Sequence, residues 1–167
     1  MMNWLDFPEG PAQQWAAFIV LISGGLLCGA LFFEFVLDMP PCPLCMMQRI
    51  WFVVCAILAY ASLMHAPRMG IYPLLTILAA LTGGYFAGRH IWIQNLPADQ
   101  VPACAPDLDY MIEVLPLGDI LTAMTSGSGD CAELSWSFIG ITLPGWALVG
   151  FVAIVICAAM QLKSSIR

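Results

Sequence analysis

The sequence predicts an all-α membrane protein: a four-transmembrane-helix bundle with both termini cytoplasmic and a long second loop on the outer face. Three observations predict it. The 167 residues are 61% apolar and 10% charged, with a mean hydropathy of +0.88. Soluble domains carry about 25% charged and about 45–50% apolar residues. A chain this short cannot bury so much apolar surface in one water-soluble core, so lipid is the solvent for much of it. Four stretches without Asp, Glu, Lys or Arg are long enough for the roughly 20 helical residues that cross a bilayer, and the few basic residues fall mainly on one side of them. The same composition excludes disorder. A formal net charge of −6 excludes a nucleic-acid partner.

The spans, which make up a single four-span membrane domain, are expected over about 12–34, 43–66, 70–90 and 144–162, with outer loops over about 35–42 and 94–143. The first lacks the basic n-region of a signal peptide, and its apolar run is too long for one. The second starts near Pro43, because Met46, Met47 and Trp51 continue its apolar run. Pro67 and Gly70 punctuate the short connection to the third. Pro144 suits the first turn of the fourth, where a missing N–H is harmless. Small residues at four-residue spacing, Gly25/Gly29 and Gly84/Gly88, are candidates for close helix approach.

Orientation follows from Arg68, Lys163 and Arg167, which share a side with the short middle connection and the C-terminus. The segment from Gln94 to Leu143 has seven acidic residues and no basic one; the remainder has five basic against four acidic. The acidic loop is therefore the translocated one. Arg49 and Arg89 lie near the outer helix ends, against the trend, and Glu34 and Asp38 flank the first outer loop, either tuning a site or marking the interface.

The seven cysteines divide accordingly. Cys28, Cys55 and Cys157 sit inside spans and read as small hydrophobes. Cys42 and Cys45 form Cys42-Pro43-Leu44-Cys45 at the mouth of span two, and Cys104 and Cys131 lie in the acidic loop. Four cysteines allow three connectivities, and an oxidising exterior favours disulfides. Haem attachment would require His where Met46 stands, and a zinc site lacks closely spaced partner ligands. A redox pair remains. Pro40, Pro41 and Pro43 stop the helix before Cys42, leaving Cys45 in the first turn, where free N–H groups and the helix dipole stabilise a thiolate. Arg49 lies one turn below on the same face. It is placed to hold that thiolate or a ligand carbonyl, with snorkelling as the alternative. His90 is a second donor candidate. One pair within reach of a lipid-soluble oxidant and another on a water-facing loop would together carry two electrons into the membrane by thiol–disulfide exchange.

In the loop, Leu108, Met111, Ile112 and Leu115, then Leu117, Ile120, Leu121 and Met124, have helical spacing for a segment lying on the bilayer or against the bundle. Ser126-Gly127-Ser128-Gly129 supplies either flexibility before Cys131 or a plain turn.

Four spans, Cys42-Pro43-Leu44-Cys45 followed by Gln48-Arg49, a loop Cys104, and Ser128-Gly129-Asp130-Cys131-Ala132-Glu133, in this order, resemble the DsbB family of bacterial inner-membrane disulfide oxidoreductases over nearly the whole chain. The resemblance implies catalytic Cys42, Cys45, Cys104 and Cys131, with the last two forming the disulfide that oxidises DsbA, a soluble periplasmic thiol oxidase. Cys104 would take the attack, Cys131 would exchange with Cys42, and Cys45 would face ubiquinone or menaquinone, the electron acceptor. Arg49 and His90 match the family's quinone-site residues; no metal is implied, and Gln48 receives no role. The thiol oxidase is itself a strong oxidant, so its re-oxidation needs an acceptor stronger than glutathione, as a bilayer quinone is. A vitamin K epoxide reductase-like enzyme would have its membrane pair after the loop cysteines, the reverse of the order here. A non-enzymatic four-span protein with structural outer disulfides is the reading from another class, and a zinc or copper carrier is disfavoured by the scarcity of His.

Overall fold

The computed structural model describes residues 10–64, 70–97, 99–104, 110, 113–114, 116–133 and 136–166. Four helices are long and apolar enough to cross a membrane: α1 (Pro11–Phe35), α2 (Pro43–Met64), α3 (Ile71–Gln94) and, after a short helix α4 (Leu117–Ser126), α5 (Leu143–Ile166). Each starts where the sequence frees it to start. Gly10, extended at φ −163°, precedes Pro11, and Pro116 precedes α4. Helix α3 continues to Gln94, past the expected end near 90. A 24-residue helix rises about 36 Å, enough for a hydrocarbon core of about 30 Å. The hydroxyls of Thr76 and Thr82 donate to carbonyls one turn back, at 2.9 Å each, so neither leaves a bare polar group in its span.

Around the bundle the helices run α1, α2, α3, α5, with α1 also against α5. Along the α2/α5 diagonal, the rings of Phe52 and Phe151 stack with centroids 4.0 Å apart and planes 3° from parallel. Glycines make room for that stack. A Cβ on Gly83 would stand 2.3 Å from the Phe151 ring, and one on Gly150 would stand 2.3 Å from Leu26 Cδ1 and 3.4 Å from Phe52. The close approaches are therefore at these positions and not at the glycine pairs singled out by spacing. Gly84 makes only ordinary contacts, and Gly25, Gly29 and Gly88 face open space. Below the stack, Gln161 Nε2 donates to Ser62 Oγ at 2.8 Å, both residues buried. Outward faces are largely apolar, as at Leu21, Ile57, Leu81 and Ile156. Of the cysteines placed in spans, Cys55 and Cys157 are buried, whereas Cys28 is exposed on the outside of α1.

The second loop folds back over the Cys42 end. Helix α4 rests on α2 through buried Ile120 and leaves Leu117 and Leu121 exposed. Arg89 Nε and a terminal guanidinium nitrogen donate to Ser126 O at 3.0 and 2.8 Å, placing a cation on the C-terminal carbonyl of α4. Ser126-Gly127-Ser128-Gly129 is a packed turn, not a flexible linker. Gly127 has φ +79°, and a Cβ there would meet Ile93 and Leu44 at 2.7 and 2.8 Å. Gly129 N–H donates to Ala103 O at 3.1 Å, and Ser128 is buried. The turn leads into a 3-10 turn (Gly129–Ala132) and then a two-stranded antiparallel hairpin, β1 (Ser137–Phe138) with β2 (Ile141–Thr142), a small addition to the all-helical expectation. Pro67, Arg68, Arg167 and the run Leu108, Met111, Ile112, Leu115 lie outside the described residues.

Gly83→Ala is expected to destabilise the bundle by about 1–3 kcal/mol through overpacking against Phe151, whereas Gly88→Ala removes a helix-weakening glycine without a clash and leaves stability unchanged or higher. Thermal melts in detergent check the contrast.

Candidate functional site

Helix α2 starts at Pro43 because the residue before a proline is disfavoured in the α region, which keeps Cys42 and Pro40 outside the helix, while Pro43 itself suits the first helical position. Cys42 is the residue that caps it: its carbonyl accepts from Met46 N–H at 3.1 Å, and its sulfur accepts from Cys45 N–H at 3.4 Å. The same turn brings the Cys42 thiol to 3.1 Å from Cys45 Sγ. Gln48 and Arg49 follow one turn further in.

From α3, buried His90 enters this cluster, with Nε2 3.8 Å from Cys42 Sγ and Nδ1 3.9 Å from Cys45 Sγ. Gln48 Nε2 lies 3.2 Å from His90 Nδ1. With that amide donating to Nδ1, the ring proton sits on Nε2, facing Cys42. The 3-10 turn contributes Cys131, fully buried against Leu44 and Ile93. The sulfurs of Cys42 and Cys131 and one His90 ring nitrogen lie within 4.8 Å of one another. Cys42 thus stands between Cys45 and Cys131. All seven thiols are free in the structure.

The two loop sulfurs have opposite surroundings. Cys131 is lowered to about 6, first by the Cys42 thiol hydrogen bonded to it, then against the effect of burial by backbone N–H groups of Ser128 and Leu44. Cys42 is correspondingly held protonated, chiefly by its hydrogen bonds to Cys131 and Cys45. Cys104 is exposed, and the Asp130 carboxylate beside it pushes its thiol up. Its Sγ packs over Gly129, where a Cβ would come within 3.0 Å.

Beneath the cysteines lies a cavity of about 720 Å³, bounded by Cys42, Cys45, Arg49, His90, Trp136 and Trp146 among others. Gly25 and Gly29 also line it, and their missing side chains leave α1's wall open. Arg49 is ion-paired to Glu34 of α1, and its second terminal nitrogen donates to Ala30 O at 3.0 Å. A mainly apolar space with a few convergent polar groups suits a flat ring bearing carbonyl oxygens. Cys42, His90 and Cys131 also form a donor set for a soft metal ion. Completing it with Cys45 would join two sulfurs 3.1 Å apart, closer than the about 3.8 Å two thiolates keep on tetrahedral zinc.

The structure therefore brings Cys42, Cys45, Cys131, Arg49 and His90 together, with Cys104 on the outer surface nearby. Two participants carried no assignment from sequence. Gln48 had a signal in its place three residues after Cys45 on one helical face; Glu34 was singled out by its charge beside the first outer loop, but its partner was not legible because that partner lies on another helix.

The family model for disulfide bond formation protein DsbB matches residues 12–161. Among curated relatives, disulfide bond formation protein B of Hahella chejuensis is 44% identical over 79% of this chain and 82% of its own length. The protein of the same name from Marinobacter nauticus is 44% identical over 83% of this chain and 84% of its own. Disulfide bond formation protein B 1 of Pseudomonas aeruginosa is 39% identical over 82% and 85%, respectively.

Replacing Asp130 by Asn should remove the nearby negative charge that disfavours the Cys104 thiolate. The pH midpoint for alkylation of Cys104 in the reduced protein is then expected to move down, and its rate at neutral pH to rise severalfold. Mass-spectrometric time courses of alkylation across pH read this directly.

Proposed function

The chain belongs to the DsbB family of membrane disulfide bond formation proteins, and from that premise we propose that it re-oxidises a DsbA-like soluble thiol oxidase and passes two electrons to a membrane quinone. The observation that carries the reading is Cys42 standing between Cys45, at 3.1 Å, and Cys131, at the mouth of the cavity that Arg49 lines.

The asymmetry of the loop cysteines supports a direction of attack. In a Cys104–Cys131 disulfide, the better leaving group is the sulfur with the lower pKa, and the attacked sulfur must be reachable. Cys131 is the buried sulfur, which backbone N–H groups of Ser128 and Leu44 stabilise as a thiolate even while Cys42 is held in its disulfide, and Cys104 is the exposed one. A thiolate of the soluble partner attacks Cys104, the S–S bond breaks, and Cys131 leaves as thiolate. Cys131 then attacks Cys42 of a Cys42–Cys45 disulfide, and Cys45 is released. The partner's second thiol resolves its bond to Cys104 and leaves oxidised. Attack of the freed Cys104 on Cys131 restores the loop disulfide and returns Cys42 as a thiol. The membrane pair, now a dithiol, is re-oxidised by loss of two electrons and two protons.

A quinone in the cavity supplies the two-electron acceptor and leaves as quinol. Arg49 would hold a carbonyl oxygen, and His90, against both sulfurs, would take and return the thiol protons. The acidic loop then faces the periplasm and both termini the cytoplasm, in the bacterial inner membrane, as the basic residues favour.

Purified protein supplied with reduced DsbA-like partner and a soluble quinone should consume the quinone absorbance. Serine at any of Cys42, Cys45, Cys104 or Cys131 should abolish turnover, while Cys28, Cys55 and Cys157 should be replaceable by Ala. Full activity of Cys45→Ser would overturn the scheme. Arg49→Ala should raise KM for quinone roughly tenfold or more, the scale of a lost hydrogen bond from a charged donor; an unchanged KM would return Arg49 to a purely structural part.

A further inference from the structure

Helix α1 carries one charged side chain, Glu34, and α2 carries one, Arg49; the two are paired with each other. Opposite charges at membrane depth neutralise one another, and that alone would account for the contact. Three details go further. The pair is not sealed: 17% of the Arg49 side chain and 25% of that of Glu34 are exposed. Arg49 is part of the cavity wall beside Cys45, as is Ala30, whose carbonyl holds its other terminal nitrogen. Two anchors on α1 therefore fix the plane of the guanidinium of a residue that lines the cavity.

We propose that Glu34 is a positioning residue for the electron-acceptor site: it holds Arg49 in place and competes with a quinone carbonyl for the same cation, so that the acceptor is bound weakly enough to exchange. The inference rests on the functional reading above. A carboxylate is a far stronger partner for a guanidinium than a neutral carbonyl. Replacing its charge while keeping its shape leaves the Ala30 anchor and a side-chain oxygen, but frees the cation for the ligand.

Trp136 and Trp146 line the cavity, so quenching of tryptophan fluorescence by a short-tailed soluble quinone measures binding to the fully oxidised protein, where no turnover occurs. Glu34→Gln is expected to lower Kd by about two- to fivefold, the range over which a partly exposed ion pair competes. Glu34→Asp, which keeps the charge, should stay near the wild-type value. In an Arg49→Gln background, Glu34→Gln should have no further effect, a result a merely structural contact would not give. Turnover should show KM falling together with kcat as release slows. An unchanged or raised Kd in a folded Glu34→Gln protein, or an equal effect in the Arg49→Gln background, overturns the inference and leaves the functional reading intact. A wild-type protein that binds no quinone overturns both.

Discussion

The point at which α2 begins is the constraint on which the rest of the site depends. Prolines 40, 41 and 43 allow only one start, and it makes Cys42 the capping residue. Everything else is then a matter of helical phase. Cys45 falls three residues on, with its sulfur against that of Cys42, and Gln48 and Arg49 fall one turn deeper, facing His90 and the cavity. A start one residue earlier or later would rotate each side chain by about 100° around the helix. A short run of prolines thus accomplishes what in other sites takes a network of contacts.

The packing of the bundle is uneven in a way that serves the site. Gly83 and Gly150 let two phenylalanine rings stack in the middle of the molecule. Nearer the cysteines, Gly25 and Gly29 have nothing opposite them, and their missing side chains leave room. The same residue type therefore supports close contact in one half and open space in the other. At the cysteine end, Arg89, Gly127 and Gly129 press the second loop onto α2 and α3, so that Cys131 is fully buried although it belongs to a loop.

The features read directly from sequence were those written in one stretch of chain. Four apolar runs announce four helices, and Cys-x-x-Cys after a proline run announces a capping cysteine pair. Features that depend on two distant stretches were not legible. The glycines that matter were distinguishable from their neighbours only once Phe151 and Leu26 were seen against them. Pairing of Glu34 with Arg49 needs the angle between α1 and α2, and the contact of Gln48 with His90 needs the register of α2 against α3. The Ser-Gly repeat left a tether and a turn equally open for a related reason. Its composition matches a flexible tether, but its glycines are there because Leu44, Ile93 and Pro102 leave no space for a side chain.

The bond from Gln161 to Ser62 ties α2 to α5 at the end of the bundle remote from the cysteines. With the ring stack at the middle of the bundle, it packs α2 against α5 from that end up to Phe52, and beyond Phe52 the cavity takes the place of such packing. From Phe52 to Cys42 the helix is an arm of about 15 Å, so a tilt of about four degrees there moves Cys42 by about 1 Å. That displacement is of the order of the difference between sulfur contact and sulfur separation. The position of the Cys42 sulfur is therefore set by the tilt of α2 above the point where the bundle is tightly packed.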